Sequence, residues 1–167
     1  NEKTLCLFIS QSGETADTIA ALKLAKSHGA RTVAVSNVIG SSITREADYT
    51  LYTHAGPEIA VASTKAYTAQ IVLLAIIAIH FAEILELNAE KVNELKHDIL
   101  LLPSQIEEVL KNTDDIKRFA QRVYKETDMF FIGRGVDYAV ALEGSLKLKE
   151  ISYIHSEAYP SGELKHG

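Results

Sequence analysis

Two stretches of this 167-residue sequence combine residue types that can do chemistry. The first is Ser10-Gln11-Ser12-Gly13-Glu14-Thr15, directly after the apolar run Leu5–Ile9. A strand, a loop of small hydroxyl residues and a helix opening at Glu14 and Thr15 make an anion site. The first amides of a helix lack intrahelical partners, and the aligned peptide dipoles place partial positive charge there. Gly13 lets the backbone approach a ligand closely, and the hydroxyls of Ser10, Ser12 and Thr15 add donors beside Gln11. A phosphate fits such a loop without lysine or arginine. The same spacing also fits a Ser12 that merely caps the helix. The second stretch is the helix Leu142–Glu150, where Glu143, Lys147 and Glu150 fall on one side at i, i+4 and i+7. A lysine between two carboxylates can hold a proton while Glu150 acts as a base on carbon. A solvated Glu–Lys helix pair has this spacing as well.

A second polar loop, Glu58–Thr68, leads into a helix. Ser63 and Thr64 can cap that helix and offer hydroxyls, backbone groups around Val61 can bind ligand hydroxyls, and Glu58 is a candidate for proton handling or hydroxyl binding. His28, His54, His80 and His97 have no metal-ligand spacing, so no metal is expected. His155 reads as a packed or capping residue.

The elements that must position these residues follow from periodicity. Thr4–Ile9 reads as a strand buried on both faces, Glu14–Ser27 as a helix, Arg31–Ser36 as a second strand, Ile43–Ala47 as one helical turn, and Tyr49–Thr53 as a third strand. Strand, helix, strand, short crossover, strand is the pattern of an open parallel α/β sheet, whose ligands bind at the carboxyl ends of the strands. The loops after the three strands, including Asn37 and Gly56–Lys65, are therefore expected to share one edge. A long helix from Ala62 to Glu86 should pack deep against the sheet. Asn88 should cap a helix to Leu102 that Pro103 terminates, and Ser104 with Glu107 should form a capping box for the next. Strand-then-glycine returns at Asp128–Gly135, followed by a helix from Tyr138 to Ser152.

Composition narrows the partners. A net charge of −5 with no basic stripe argues against nucleic acid. The single cysteine, Cys6, excludes an internal disulfide and reads as a core thiol, consistent with a reducing cytoplasmic setting. The apolar run Ala69–Ala82 falls short of the roughly 20 residues of a membrane span, so a buried helix and no membrane are expected. No signal peptide is visible, and the chain reads as a fragment.

The first hexapeptide resembles the sugar-phosphate loop of sugar isomerase (SIS) domains. Glu58–Thr68 (EIAVASTKAYT) and Leu146–Gly167 (LKLKEISYIHSEAYPSGELKHG) narrow the resemblance to the isomerase half of the glucosamine-6-phosphate synthase family, the glutamine–fructose-6-phosphate aminotransferases. That resemblance implies an α/β fold: an SIS-type doubly wound parallel sheet flanked by helices. Residues 1–87 would be a first SIS domain lacking its first strand and loop, 88–127 a helical connector, and 128–167 the start of a second. It also implies a phosphate held by Ser10, Gln11, Ser12 and Thr15, and sugar contacts from Val61 and Ser63. Glu150 becomes the base for proton transfer between C1 and C2, Lys147 the active-site lysine, and His166 the ring-opening histidine. The ligands would be fructose 6-phosphate and glucosamine 6-phosphate, with no cofactor. His166 would enter the neighbouring subunit's pocket, making a homodimer the catalytic unit. The family's glutaminase domain, preceding sugar loop and C-terminal lysine are absent from this sequence, and Pro160-Ser161 departs locally from its pattern. A simple phosphosugar isomerase would need the first loop but not the long second match. A non-catalytic sugar-phosphate sensor could dispense with Lys147, Glu150 and His166.

Overall fold

The computed structural model describes residues 1–166. They fall into two compact units, one of residues 1–59 and 63–99, the other of residues 60–62 and the chain from Leu100 on.

The first unit is built on three parallel strands in the order β1 (Leu5–Ser10), β2 (Arg31–Ser36), β3 (Tyr49–Tyr52). The run Thr32-Val33-Ala34-Val35 suits a central strand because β-branched side chains pack well on a pleated surface. Its register pairs Ser10 with Ser36 and Ser36 with Tyr52, so the carboxyl ends of all three strands meet at one edge. Helix α1 (Ala16–Ser27) and the five-residue α2 (Ser42–Glu46) pack on the strands. Between them Leu22, Ala34 and Ile43 are fully buried, with Phe8, Ile19 and Ala47 against them. Thr32 is buried but satisfied: its amide and hydroxyl both donate to Asp48 Oδ2 at 2.9 Å, and Lys26 Nζ pairs with Asp48 Oδ1 at 3.0 Å. β1 is less enclosed than its composition predicts. Leu5 and Ile9 are exposed and Cys6 is only half-buried.

Two expectations about the long helices are corrected. α3 (Lys65–Ile84) is 20 residues long, with a mean hydropathy of 1.8 over its most apolar window, of which only 6% is buried. It is neither deeply packed nor too short to cross a membrane by length and composition. Apolar composition signals that a helix face must be covered, and among the described residues little covers this one. α4 (Ala89–Lys111) runs straight through Pro103. A proline removes one N–H from the ladder, and a helix of 23 residues retains the rest. Ser104 caps nothing; its hydroxyl donates to the Leu101 carbonyl at 2.8 Å. Asn88 does cap α4, accepting the Lys91 amide at 3.1 Å. α5 (Asp114–Val123) follows.

In the second unit β4 (Asp128–Gly133) and β5 (His155–Pro160) pair in parallel around α6 (Val136–Ser152), and a single 3₁₀ turn covers Leu164–His166. β5 has no counterpart in the sequence reading. His-Ser-Glu-Ala-Tyr-Pro opens with three polar residues in a row and lacks the β-branched residues that mark strands. His155 is exposed rather than packed, with Nδ1 3.0 Å from Asp128 Oδ1 across the β4–β5 pair.

Candidate functional site

The loop after β1 is pre-shaped around its own hydroxyls. Ser10, nearly buried, hydrogen-bonds Thr15 Oγ1 at 2.9 Å and accepts the Gly13 amide at 3.1 Å. Ser12 Oγ accepts the Glu14 amide at 3.2 Å, a local turn rather than a helix cap. α1 starts at Ala16 with Thr15 as its N-cap, two residues later than the sequence suggests, and no side chain caps the helix. The first-turn amides of α1 are therefore left for an anion, with the dipole behind them and no cation in the loop.

The loops after β2 and β3 are stitched to this one. The Asn37 amide donates to the Gln11 carbonyl at 3.1 Å, and Asn37 Nδ2 donates to the Gly56 carbonyl at 2.7 Å. Asn37 Oδ1 accepts from Thr53 Oγ1 at 3.0 Å and from the Ala55 amide at 2.9 Å. Three loops thus share one edge, as the parallel-sheet pattern requires. Asn37 is the clamp; the only signal the sequence carries for it is an asparagine directly after a strand.

In the second polar loop the expected caps are not the caps. Thr64 is the N-cap of α3 but makes no side-chain cap bond. Glu58 does this work: its Oε2 accepts the Ala66 amide at 3.1 Å and the Ser63 hydroxyl at 3.4 Å. Its carboxylate is thereby engaged in ordering the loop that carries Ser63. Val61 is 92% exposed, so what it offers a ligand is accessible backbone.

The second unit holds the ionic group. α6 starts after Gly135 at φ 57° and ends at Tyr153 in the left-handed region, φ 61°. Gly144 lets the helix lie close on β4, because a Cβ there would sit 3.0 Å from the Phe131 ring. Ser145 and Ser156, both buried, hydrogen-bond at 3.0 Å, and Ser156 Oγ also donates to the Ser145 carbonyl at 2.8 Å. These contacts fix the rotation of α6 against β4 and β5. Lys147 Nζ then lies 2.6 Å from Glu150 Oε2 and 3.5 Å from Glu143 Oε1, its side chain 20% exposed. The hydrogen bond that Lys147 donates to Glu150 raises the Lys147 pKa above its ordinary value; partial burial opposes this and the two carboxylate charges reinforce it. Lys147 is therefore a fixed ammonium, suited to holding a proton and orienting Glu150, not to removing one. His166 is exposed in the 3₁₀ turn, with its amide donating to the Glu163 carbonyl at 2.9 Å. Among the described residues no hydrogen bond or ion pair joins its ring to Lys147 or Glu150. No cluster of three or more His, Cys, Asp or Glu among those residues is disposed to hold a metal.

The SIS domain family profile matches residues 1–80 and 122–167. The chain is 59% identical over 167 residues to the glutamine–fructose-6-phosphate aminotransferase (isomerizing) of Clostridium perfringens, covering 99% of this chain and 27% of that one. It is 61% identical over 168 residues to the enzyme of that name from Clostridium tetani, covering all of this chain and 28% of that one. The chain thus spans little more than a quarter of the length of these relatives. The C-terminal domain of glucosamine-fructose-6-phosphate aminotransferase from Francisella tularensis superposes with a TM-score of 0.93 at 43% identity, over 98% of this chain and 47% of that one. With its parallel sheet, its hydroxyl loop at the strand edge and a profile match over more than half its length, the chain belongs to the SIS domain family.

Proposed function

We propose that the chain is the sugar-phosphate isomerase part of a glucosamine-6-phosphate synthase, working in the cytoplasm on fructose 6-phosphate and ammonia released from glutamine elsewhere in the enzyme. The observation that carries this reading is Lys147 bracketed at 3.5 Å and 2.6 Å by Glu143 and Glu150 on a helix locked against its strands. A module that only sensed sugar phosphates would need the first loop and not this group.

In this reading the phosphate sits on the α1 amides and on Ser10, Gln11, Ser12 and Thr15. Val61, Ser63 and Glu58 line or order the loop that meets the sugar hydroxyls. Ammonia adds to the C2 carbonyl with loss of water, giving a C2 imine. The imine acidifies the C1 hydrogen, so no external cofactor is needed. The Glu150 carboxylate removes the C1 proton as the imine nitrogen takes one up, leaving an enolamine; it then returns its proton to C2 while the C1 hydroxyl gives up its own to become the aldehyde carbonyl. The product is the 2-amino aldose. Lys147 holds Glu150 in place and keeps positive charge beside the developing negative charge on the sugar.

The test is Glu150→Gln in the full-length protein. The amide keeps the size of the side chain and an acceptor for Lys147 but cannot take a proton. Sugar binding should persist while kcat falls by roughly 10²–10⁴, the usual contribution of a general base. Exchange of the C2 proton of glucosamine 6-phosphate with solvent at the normal rate would remove Glu150 from the role.

His166 is proposed to open the sugar ring in the partner subunit's site, which makes a homodimer the working unit. An imidazole has one nitrogen that can accept a proton and one that can give one up, so it can move a proton between the C1 hydroxyl and the ring oxygen. Mixing full-length His166→Ala and Glu150→Gln subunits should restore about a quarter of wild-type activity, since half the dimers are mixed and each has one intact site. If the histidine serves its own subunit, the mixture stays inactive.

A further inference from the structure

We infer that Glu14 is a positioning residue for the phosphate loop, holding it against the start of α2; the inference rests on the phosphate placement proposed above. A carboxylate in the middle of an anion-binding loop is an oddity, since an ionised glutamate facing the site would repel the ligand. The structure shows where its charge goes. The Ser42 amide donates to Glu14 Oε1 at 2.8 Å, and the next amide, of Ile43, donates to the Gly13 carbonyl at 2.9 Å. Two consecutive loop residues thus take the first two free amides of α2. Ser41, the N-cap of α2, makes no side-chain cap bond, so Glu14 serves as that helix's cap from 28 residues away.

The anchor is firm at its far end. Ile43 is fully buried with Leu22 and Ala34, and Ser41 is almost so. Gly13, at φ +69°, lies so close to α2 that a Cβ there would be 2.0 Å from Ser41 Oγ. The Gln11 carbonyl is held by the Asn37 amide at 3.1 Å and, more weakly, by Ser36 Oγ at 3.5 Å. Ser12 and Thr15 have no tie to α2 or β2 among these contacts, and both carry hydroxyls assigned to the phosphate. The Ser42 hydrogen bonds lower the Glu14 pKa, and the nearby Arg45 charge adds to this. Glu14 thus remains a carboxylate committed to α2. It acts by fixing the loop, not by touching the ligand.

The test uses the full-length protein, with inorganic phosphate as a competing probe beside the sugar phosphate. Glu14→Ala removes the cap and should raise both the KM for the sugar phosphate and the Ki for phosphate about tenfold, with kcat within about twofold. Glu14→Gln keeps a carbonyl oxygen for the Ser42 amide and should stay within about threefold of wild type, which also guards against a misfolded Ala variant. Equal losses in both variants would mean that charge, not position, matters, and would overturn the inference. So would wild-type behaviour in both, or tighter phosphate binding in both. Ser12→Ala measured alongside separates the two levels. If it too leaves phosphate binding unchanged, the phosphate is not in this loop; if it weakens binding while Glu14→Ala does not, only the role of Glu14 fails.

Discussion

The two units place their functional groups by opposite means. In the first, neutral hydroxyls and amides sit at the edge of a parallel sheet with an apolar core beneath, and the side chains that are fully buried include Leu22, Val35 and Ile43. In the second, a lysine and two glutamates lie on a helix whose fixed point is a pair of buried serines; Ser156 is its one representative among the largest fully buried side chains of the described residues. The difference matches the two tasks proposed for them. Holding a dianion requires rigid, uncharged donors whose geometry is set before the ligand arrives. Moving a proton requires ionisable groups whose charges hold one another in place.

This contrast is most exposed to a change in packing. Leu22 fills the space between Ala34 and Ile43, and Ile43 is also the anchor behind the phosphate loop. Leu22→Ala should cost about 2–5 kcal/mol of unfolding free energy, through lost burial and the cavity left behind. Denaturant unfolding of the full-length protein measures it. Ser145→Ala provides the comparison in the second unit. It deletes one oxygen and leaves the Ser156 hydroxyl bonded to the 145 carbonyl, so about 1 kcal/mol or less is expected. Equal losses would erase the distinction between an apolar and a polar anchor.

A smaller effect sharpens the functional half of the comparison. Ser12→Ala together with Thr15→Ala should raise the KM for the sugar phosphate at least about tenfold and change kcat little, because a hydrogen bond to a charged group is worth about 1.5–3 kcal/mol in both ground and transition states. Glu150→Gln should do the reverse. Steady-state kinetics on the two full-length variants shows whether binding and chemistry divide this way between the units; a fall in kcat as large as the rise in KM for the hydroxyl variant would join them.

How much of this was legible beforehand follows from where each signal resides. β2 lies at Arg31–Ser36 as expected, because a β-branched run between Gly29 and Asn37 is a local signal. The hydroxyl loop and the Glu143–Lys147–Glu150 side of α6 are local too, fixed by spacing along one element. Glu14 was read as the opening of a helix and Glu58 as a candidate for proton handling or hydroxyl binding. Their true partners are amides 28 and 8 residues further on, and no periodicity reports such a pairing. Pro103 misled because a proline's cost is local while a long helix is held along its whole length. α3 misled because composition tells that a face is apolar and says nothing of what covers it.

The smallest effect separates the units by pH. In the first, Asp48 has its pKa lowered, chiefly by the Thr32 amide, then by Lys26 and the Thr32 hydroxyl. A depressed folded pKa contributes stability above the unfolded value, ordinarily 3.8, that is lost as pH falls through the folded value. In the second, Lys147 has its pKa raised by Glu150 above the ordinary 10.5, so its contribution is complete below pH 10.5 and is lost as pH rises through the folded value. The Lys26–Asp48 pair is more than a third exposed on both sides, at 38% and 36%, so solvent screens it and the shift in melting point should be slight. The measurement is the difference in Tm between wild type and each full-length variant across pH. For Asp48→Asn the gap should be constant near neutrality and narrow below about pH 4, where the unfolded carboxylate protonates. For Lys147→Met it should be constant up to about pH 10 and narrow beyond, as the lysine loses its proton. A gap for Lys147→Met that stays unchanged as pH rises through and past the ordinary lysine range would show that the ammonium carries no linkage, and the picture of α6 as a helix organised around a fixed positive charge would fail.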